Sequence, residues 1–230
     1  MNTIYAAWAI SAGACLLIAM GLGFAVRIAP GPLGLLIDQR GRYSLTHVQV
    51  VIWTIVVLSL VSGIFWGRLL DDVPDPLGFD IPDEVLGLLG IVAGSAVATK
   101  VAKSAKDVTR PASVAASSPA DPPRPAQIFF LEEGQYADRV VDVAKFQNLI
   151  ITMVLVVAYV AMAIDTIDDA GSAADVTVPT FSGTFLTLLG ISHAAYVAGK
   201  LPNQAGEPAG LTVETRETGL PADFKPRNPK

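Results

Sequence analysis

The sequence predicts an all-α integral membrane protein of five transmembrane helices, with one N-terminal helix followed by two helical hairpins that repeat one another in parallel. Three observations carry this expectation. The 230 residues are 52% hydrophobic and only 16% charged, with a mean hydropathy of +0.51, whereas a soluble domain carries about 25% charge. The apolar residues fall into five blocks free of Asp, Glu, Lys and Arg, at 4–26, 48–66, 85–99, 146–164 and 181–199. Finally, "LGLLGIVAGSAVATK" at 86–100 returns as "LTLLGISHAAYVAGK" at 186–200.

Crossing a bilayer takes about 20 helical residues. Blocks one, two, four and five meet that length, and the third reaches it if Val101 and Ala102 extend it and Lys100 snorkels to the headgroups. The first block has no basic residue ahead of it, so it reads as a retained helix rather than a signal peptide. The chain then divides into an N-terminal helix (1–26), a cytoplasmic loop (27–47), a first hairpin (48–102), a cytoplasmic linker (103–145), a second hairpin (146–201) and a disordered tail (202–230). The linker opens rich in Ala, Ser and Pro and closes with "ADRVVDVAKFQN", which reads as an amphipathic helix leading into the fourth span. Ser44 or Thr46 is expected to cap the second span.

Charge sets the orientation. The loop after the first block, the segment from Lys100 to Lys145 and the chain from Lys200 onward together hold 15 of the 16 Lys and Arg residues, and basic loops stay on the cytoplasmic side. The expected protein therefore lies in a cell membrane with its N-terminus outside and its C-terminus in the cytoplasm. Arg68, in an otherwise acidic outer loop, is the exception.

The repeat rests on eight identities at a spacing of 100: Leu86/Leu186, Leu88/Leu188, Leu89/Leu189, Gly90/Gly190, Ile91/Ile191, Val97/Val197, Ala98/Ala198 and Lys100/Lys200. The outgoing helices echo each other more faintly at a spacing of 98, through Gln49/Gln147, Ile52/Ile150, Thr54/Thr152 and Val56/Val154. Parallel copies imply a pseudo-two-fold axis along the membrane normal. Small residues recur every fourth position at Gly90, Gly94 and Ala98 and at Gly190, Ala194 and Ala198. Such stripes let helix backbones approach in lipid, so the third and fifth helices are expected to pack on each other or on a neighbouring copy.

His193 is the one histidine inside a block, with Ser192 beside it and Tyr196 one turn on. A neutral, hydrogen-bonded histidine at a helix interface is the expectation, with a functional intramembrane group as the alternative. No metal-ligand spacing, dinucleotide fingerprint or phosphate loop is present, so no cofactor and no enzymatic chemistry are expected. A nucleic-acid partner is not expected either, because the basic residues follow the membrane edges. The expected function is a non-enzymatic scaffold or anchor in the lipid bilayer, self-associating and holding a cytoplasmic partner through 107–139 or 203–230. The alternative is a homo-oligomeric channel or pore.

Overall fold

The computed structural model describes residues 2–26, 30–109, 122–132 and 138–201. Among these residues the regular structure is helical, with five α-helices and no strand: α1 (Asn2–Ala25), α2 (Leu45–Leu70), α3 (Asp83–Thr109), α4 (Val143–Asp169) and α5 (Gly183–Ala198). The first four are long and apolar enough to cross a membrane, and α5, with 16 residues, is shorter. The tail 202–230, Arg27 and the linker residues 110–121 lie outside the described residues.

The fifth block is thus not a full helical span. Its helix begins only after an extended stretch in which Val176, Val178 and Phe181 are buried while Thr177 and Thr180 are exposed. Pro179 is buried as well, and the backbone is extended at Val176 and Ser182. Phe181 stacks against Tyr159 with ring centroids 5.2 Å apart and meets Trp53 edge-on at 6.1 Å. Tyr159 lies ten residues before the end of α4, which places the start of α5 about 15 Å inside that end. Non-helical backbone at such depth is tolerated where protein surrounds it.

Helix ends sort by charge. Ile4 of α1 packs against Gly67 near the end of α2, and the Tyr5 hydroxyl donates to Asp168 near the end of α4 at 2.8 Å. These termini share one end with the acidic connections 71–82 and 170–182. Arg68 is buried there and explains its own exception to the charge pattern. Its guanidinium donates to the carbonyls of Ala173 and Ala174 and lies 5.2 Å from the Phe79 ring centroid, tying both acidic connections to α2. Arg68→Lys keeps the charge but loses the planar fork. We expect it to lower the thermal midpoint and to speed hydrogen exchange at 171–178 while exchange in α1 stays unchanged.

α1 lies along α2. The Trp8 indole donates to Ser59 Oγ at 3.2 Å, and Ser11 Oγ donates to Ser62 Oγ at 3.1 Å. The close approach comes from Gly63 and Gly67. A Cβ at Gly63 would stand 2.6 Å from Trp8 Cα, and one at Gly67 would stand 2.5 Å from Ile4 Cγ1. The expected packing glycines behave differently. Nothing lies within 4 Å of a Cβ at Gly90 or Gly94, and a Cβ at Gly190 meets only Ile91 Cδ1 at 3.8 Å. α3 and α5 do pack together: Ser95 meets His193, Ile91 Cδ1 reaches the Gly190 position, and Leu186 Cδ1 stands 3.7 Å from a Cβ at Gly87. Ala98 is half-buried, and Ala194 and Ala198 are exposed.

The two outgoing helices bury the same pattern. α2 buries Thr46, Gln49, Trp53, Val57, Leu60, Ile64 and Arg68, and α4 buries Lys145, Asn148, Thr152, Val156, Tyr159, Ala163 and Ile167, each 99 positions later. The spacing of 98 read from identities pairs buried Gln49 with exposed Gln147, so the environmental partner of Gln49 is Asn148. The returning helices agree less well. None of the eight identical pairs is buried on both helices, and Lys100 is exposed where Lys200 is buried. Of the sixteen positions in those pairs seven are exposed, six half-buried and three buried, so the identities do not trace a shared buried face.

The basic end is more ordered than the expected loop and linker. α3 runs on to Thr109, past the boundary expected at residue 102. Residues 138–142 form a turn in which Val141 bridges Phe130, so no helix precedes Val143. Asp142 sets that start by accepting from the backbone N–H groups of Ala144 and Lys145. Ser44 occupies the cap position of α2, but its hydroxyl pairs with Thr46 Oγ1 at 2.9 Å rather than with the backbone.

Candidate functional site

Polar side chains converge inside the basic half of the bundle. Gln49 and Asn148 are fully buried. The Gln49 amide donates to Asn148 Oδ1 at 3.1 Å and to Thr152 Oγ1 at 2.7 Å, and Ser192 Oγ donates to the same Asn148 oxygen at 3.1 Å. α2, α4 and α5 are thereby joined through one amide. Because a buried polar group left unpaired loses more than its hydrogen bond was worth, we expect Gln49→Leu and Asn148→Leu each to lower the thermal midpoint by more than the double substitution does. A thermal-melt double-mutant cycle in detergent measures that coupling.

His193 completes the network toward α3. Its Nδ1 lies 2.7 Å from Ser95 Oγ, which also stands 2.8 Å from the Val92 carbonyl. The single serine proton goes to the carbonyl, so His193 Nδ1–H donates to Ser95 and Nε2 carries the lone pair. Nε2 has no partner among the described residues. The histidine is therefore an interface residue with one unused acceptor. Tyr196 is buried one turn on, with the Lys200 ammonium 5.6 Å from its ring centroid. Ser192, His193 and Tyr196 thus face the interior together. Of the other hydroxyl residues on the helices, Thr99 and Thr152 are buried, Ser59 and Ser62 serve the α1 contact, and Thr54 and Thr187 are exposed.

Closer to the basic end lies a buried charge cluster that the sequence did not reveal. Glu132 sits at its centre, 4% exposed. Its carboxylate is 2.6 Å from Lys145 Nζ, 2.7 Å from Lys103 Nζ and 3.6 Å from Lys200 Nζ. Lys145 also donates to the Phe130 carbonyl at 2.7 Å. Burial opposes ionisation of Glu132, but the surrounding ammonium groups outweigh it and hold the carboxyl well below its ordinary range.

Lys103 reaches a second acid, Asp38, at 3.1 Å. Asp38 Oδ1 organises its own turn by accepting from the Arg40 and Arg42 backbone N–H groups, and Gly41 supplies the positive φ of 73° that the turn requires. Arg42 forms a bidentate pair with Asp138. That hydrogen-bonded guanidinium draws the Asp138 carboxyl below its ordinary range. The available signals for the cluster were the acid pair inside "IFFLEEG" and the helical spacing of Lys100, Lys103 and Lys106. Both read equally well as interfacial charge.

Among the described residues no group of three or more His, Cys, Asp and Glu side chains is placed to hold a metal ion. The chain matches no protein family, no curated protein and no solved structure. Its chemistry is therefore argued from its own geometry.

Proposed function

We propose that the chain is a non-enzymatic, multi-pass scaffold or anchor that presents its basic end to a cytoplasmic partner. One observation carries this reading. The two connecting segments at that end are built into a cap, because Arg42 joins Asp138 while Lys103 joins both Asp38 and Glu132. These pairs fasten the 30–44 loop and residues 122–132 and 138–142 to α3, and Lys145 and Lys200 fasten the same centre to α4 and α5. A cap held this firmly is a recognition surface of fixed shape, which lowers the ordering cost of binding. In the same reading the basic end faces the cytoplasm. The helix pairs α2–α3 and α4–α5 are parallel repeated hairpins, an assignment supported by the burial register of 99 in α2 and α4.

A second reading, a homo-oligomeric channel, draws on the polar interior formed by Gln49, Asn148, Thr152, Ser192 and His193. The experiment that separates the two is the mass and composition of the complex purified through a C-terminal tag in a mild detergent. The scaffold requires a stoichiometric soluble partner that is lost on Arg42→Ala or on removal of 203–230. A closed ring of this chain alone, with ion flux abolished by substitution of Ser192 or His193, would replace it with the channel.

A further inference from the structure

At the basic end a cavity of about 310 Å³ opens between the turn at 38–47 and α3. Its charged lining consists of Arg40, Lys100 and Lys103 with one acid, Asp38, and the Arg40 guanidinium also donates to the Lys103 carbonyl at 3.2 Å. That acid is already engaged: Oδ1 accepts two backbone N–H groups, and Oδ2 takes Lys103. Lys103 in turn divides itself between Asp38 and Glu132. Lys100, exposed on the same wall, has no ion pair among the described residues. Beside it Thr99 is only 2% exposed, and its Oγ1 has no partner. Buried hydroxyls are nearly always satisfied, so an orphaned one on the wall of a cationic cavity indicates a missing acceptor.

We propose that this cavity binds a phosphate oxyanion, with Lys100 supplying the charge, the Thr99 hydroxyl donating to the bound oxygen and the Arg40 guanidinium alongside. The remaining wall is mixed, with Gln39, Ser44, Thr46 and His47 on the turn and the start of α2 and an apolar strip on α3. Ala96 and Val97 form that strip, and Val97 is 63% exposed on the outward side of α3. An anion carrying an acyl chain can lay that chain along this face, so the phosphodiester of an anionic lipid fits the combination, in the manner of basic sites at membrane-helix ends. A soluble phosphate shares the same oxyanion chemistry and is resolved by experiment. The site goes beyond the scaffold reading and does not depend on it.

The test uses the full chain in mild detergent and follows the thermal midpoint against three probes: short-chain phosphatidylglycerol, phosphatidylcholine of equal chain length, and inorganic phosphate. Phosphatidylglycerol is expected to raise the midpoint where phosphatidylcholine does not. Lys100→Gln is expected to weaken that effect about tenfold in concentration while leaving the ligand-free midpoint unchanged. Thr99→Val should weaken binding without lowering the ligand-free midpoint, because it deletes an unpaired hydroxyl at constant volume. A Lys100-dependent shift with inorganic phosphate alone would uphold the site and assign it a soluble ligand. Equal shifts with both lipids, no shift with any probe, or a shift unaltered by Lys100→Gln would overturn it.

Discussion

Gly63→Leu is expected to separate α1 from the rest of the bundle. The added Cβ alone would stand 2.6 Å from Trp8 Cα, 2.8 Å from Trp8 Cβ and 3.0 Å from Trp8 N. Two of these three atoms are main chain and cannot turn aside, so the helices must move apart. Separation also breaks the Trp8–Ser59 and Ser11–Ser62 hydrogen bonds, which sit on the same face. Overpacking costs typically about 1–3 kcal/mol; with two interhelical bonds lost as well, the upper end of that range or beyond is expected. The readout need not be stability. In a chain with Cys15→Ser, the pair Ser11→Cys and Ser62→Cys should cross-link readily, and adding Gly63→Leu should abolish the cross-link. Gly90→Ala and Gly94→Ala are the controls. They meet no neighbour within 4 Å and gain helix propensity of up to about 1 kcal/mol each, so they should keep the cross-link and hold or raise the midpoint. Retention of the cross-link in Gly63→Leu would remove this account of how α1 is held.

The contrast between these glycines shows what the sequence could convey. Small residues every fourth position mark a face along which a helix can approach another, and Ser59, Gly63 and Gly67 have that spacing as clearly as Gly90, Gly94 and Ala98 do. Spacing does not say which face meets a partner. The long apolar blocks gave helices at all five places, because such runs permit little else, and only the fifth helix, with 16 residues, falls short of a span. The fifth differed because Phe181 fills the space beside Trp53 and Tyr159 as extended chain, a consequence of tertiary fit. Ser192, His193 and Tyr196 were legible as a group from helical spacing alone. Gln49 was noticed only as a repeated letter, and its real counterpart, Asn148, is a different amino acid one position away. Glu132 was hidden most thoroughly, since its three lysines come from α3, α4 and the end of α5, and nothing local ties them to it.

Glu132→Gln is expected to be the most damaging single substitution at the basic end. It leaves the ammonium groups of Lys103, Lys145 and Lys200 together without the carboxylate they share. Breaking a buried ion pair by removing one partner costs about 3–5 kcal/mol. The double variant Glu132→Gln with Lys145→Met should recover part of that loss, because Lys145, fully buried, is then no longer an uncompensated charge. Acid titration supplies a second and independent readout. In the unfolded chain a glutamate titrates near about 4.3, and in the folded protein the Glu132 carboxyl lies well below its ordinary range. Above about pH 4.3 both states are ionised, and the full stabilisation is present. Below it the unfolded chain takes up a proton that the folded chain does not, so stability falls until the folded carboxyl is protonated as well. Wild-type protein should therefore lose thermal midpoint as the pH drops below about 4.5, and Glu132→Gln should start lower and lose less over the same interval. Parallel curves for the two proteins would mean that Glu132 is not the group whose ionisation holds the cap to the helices.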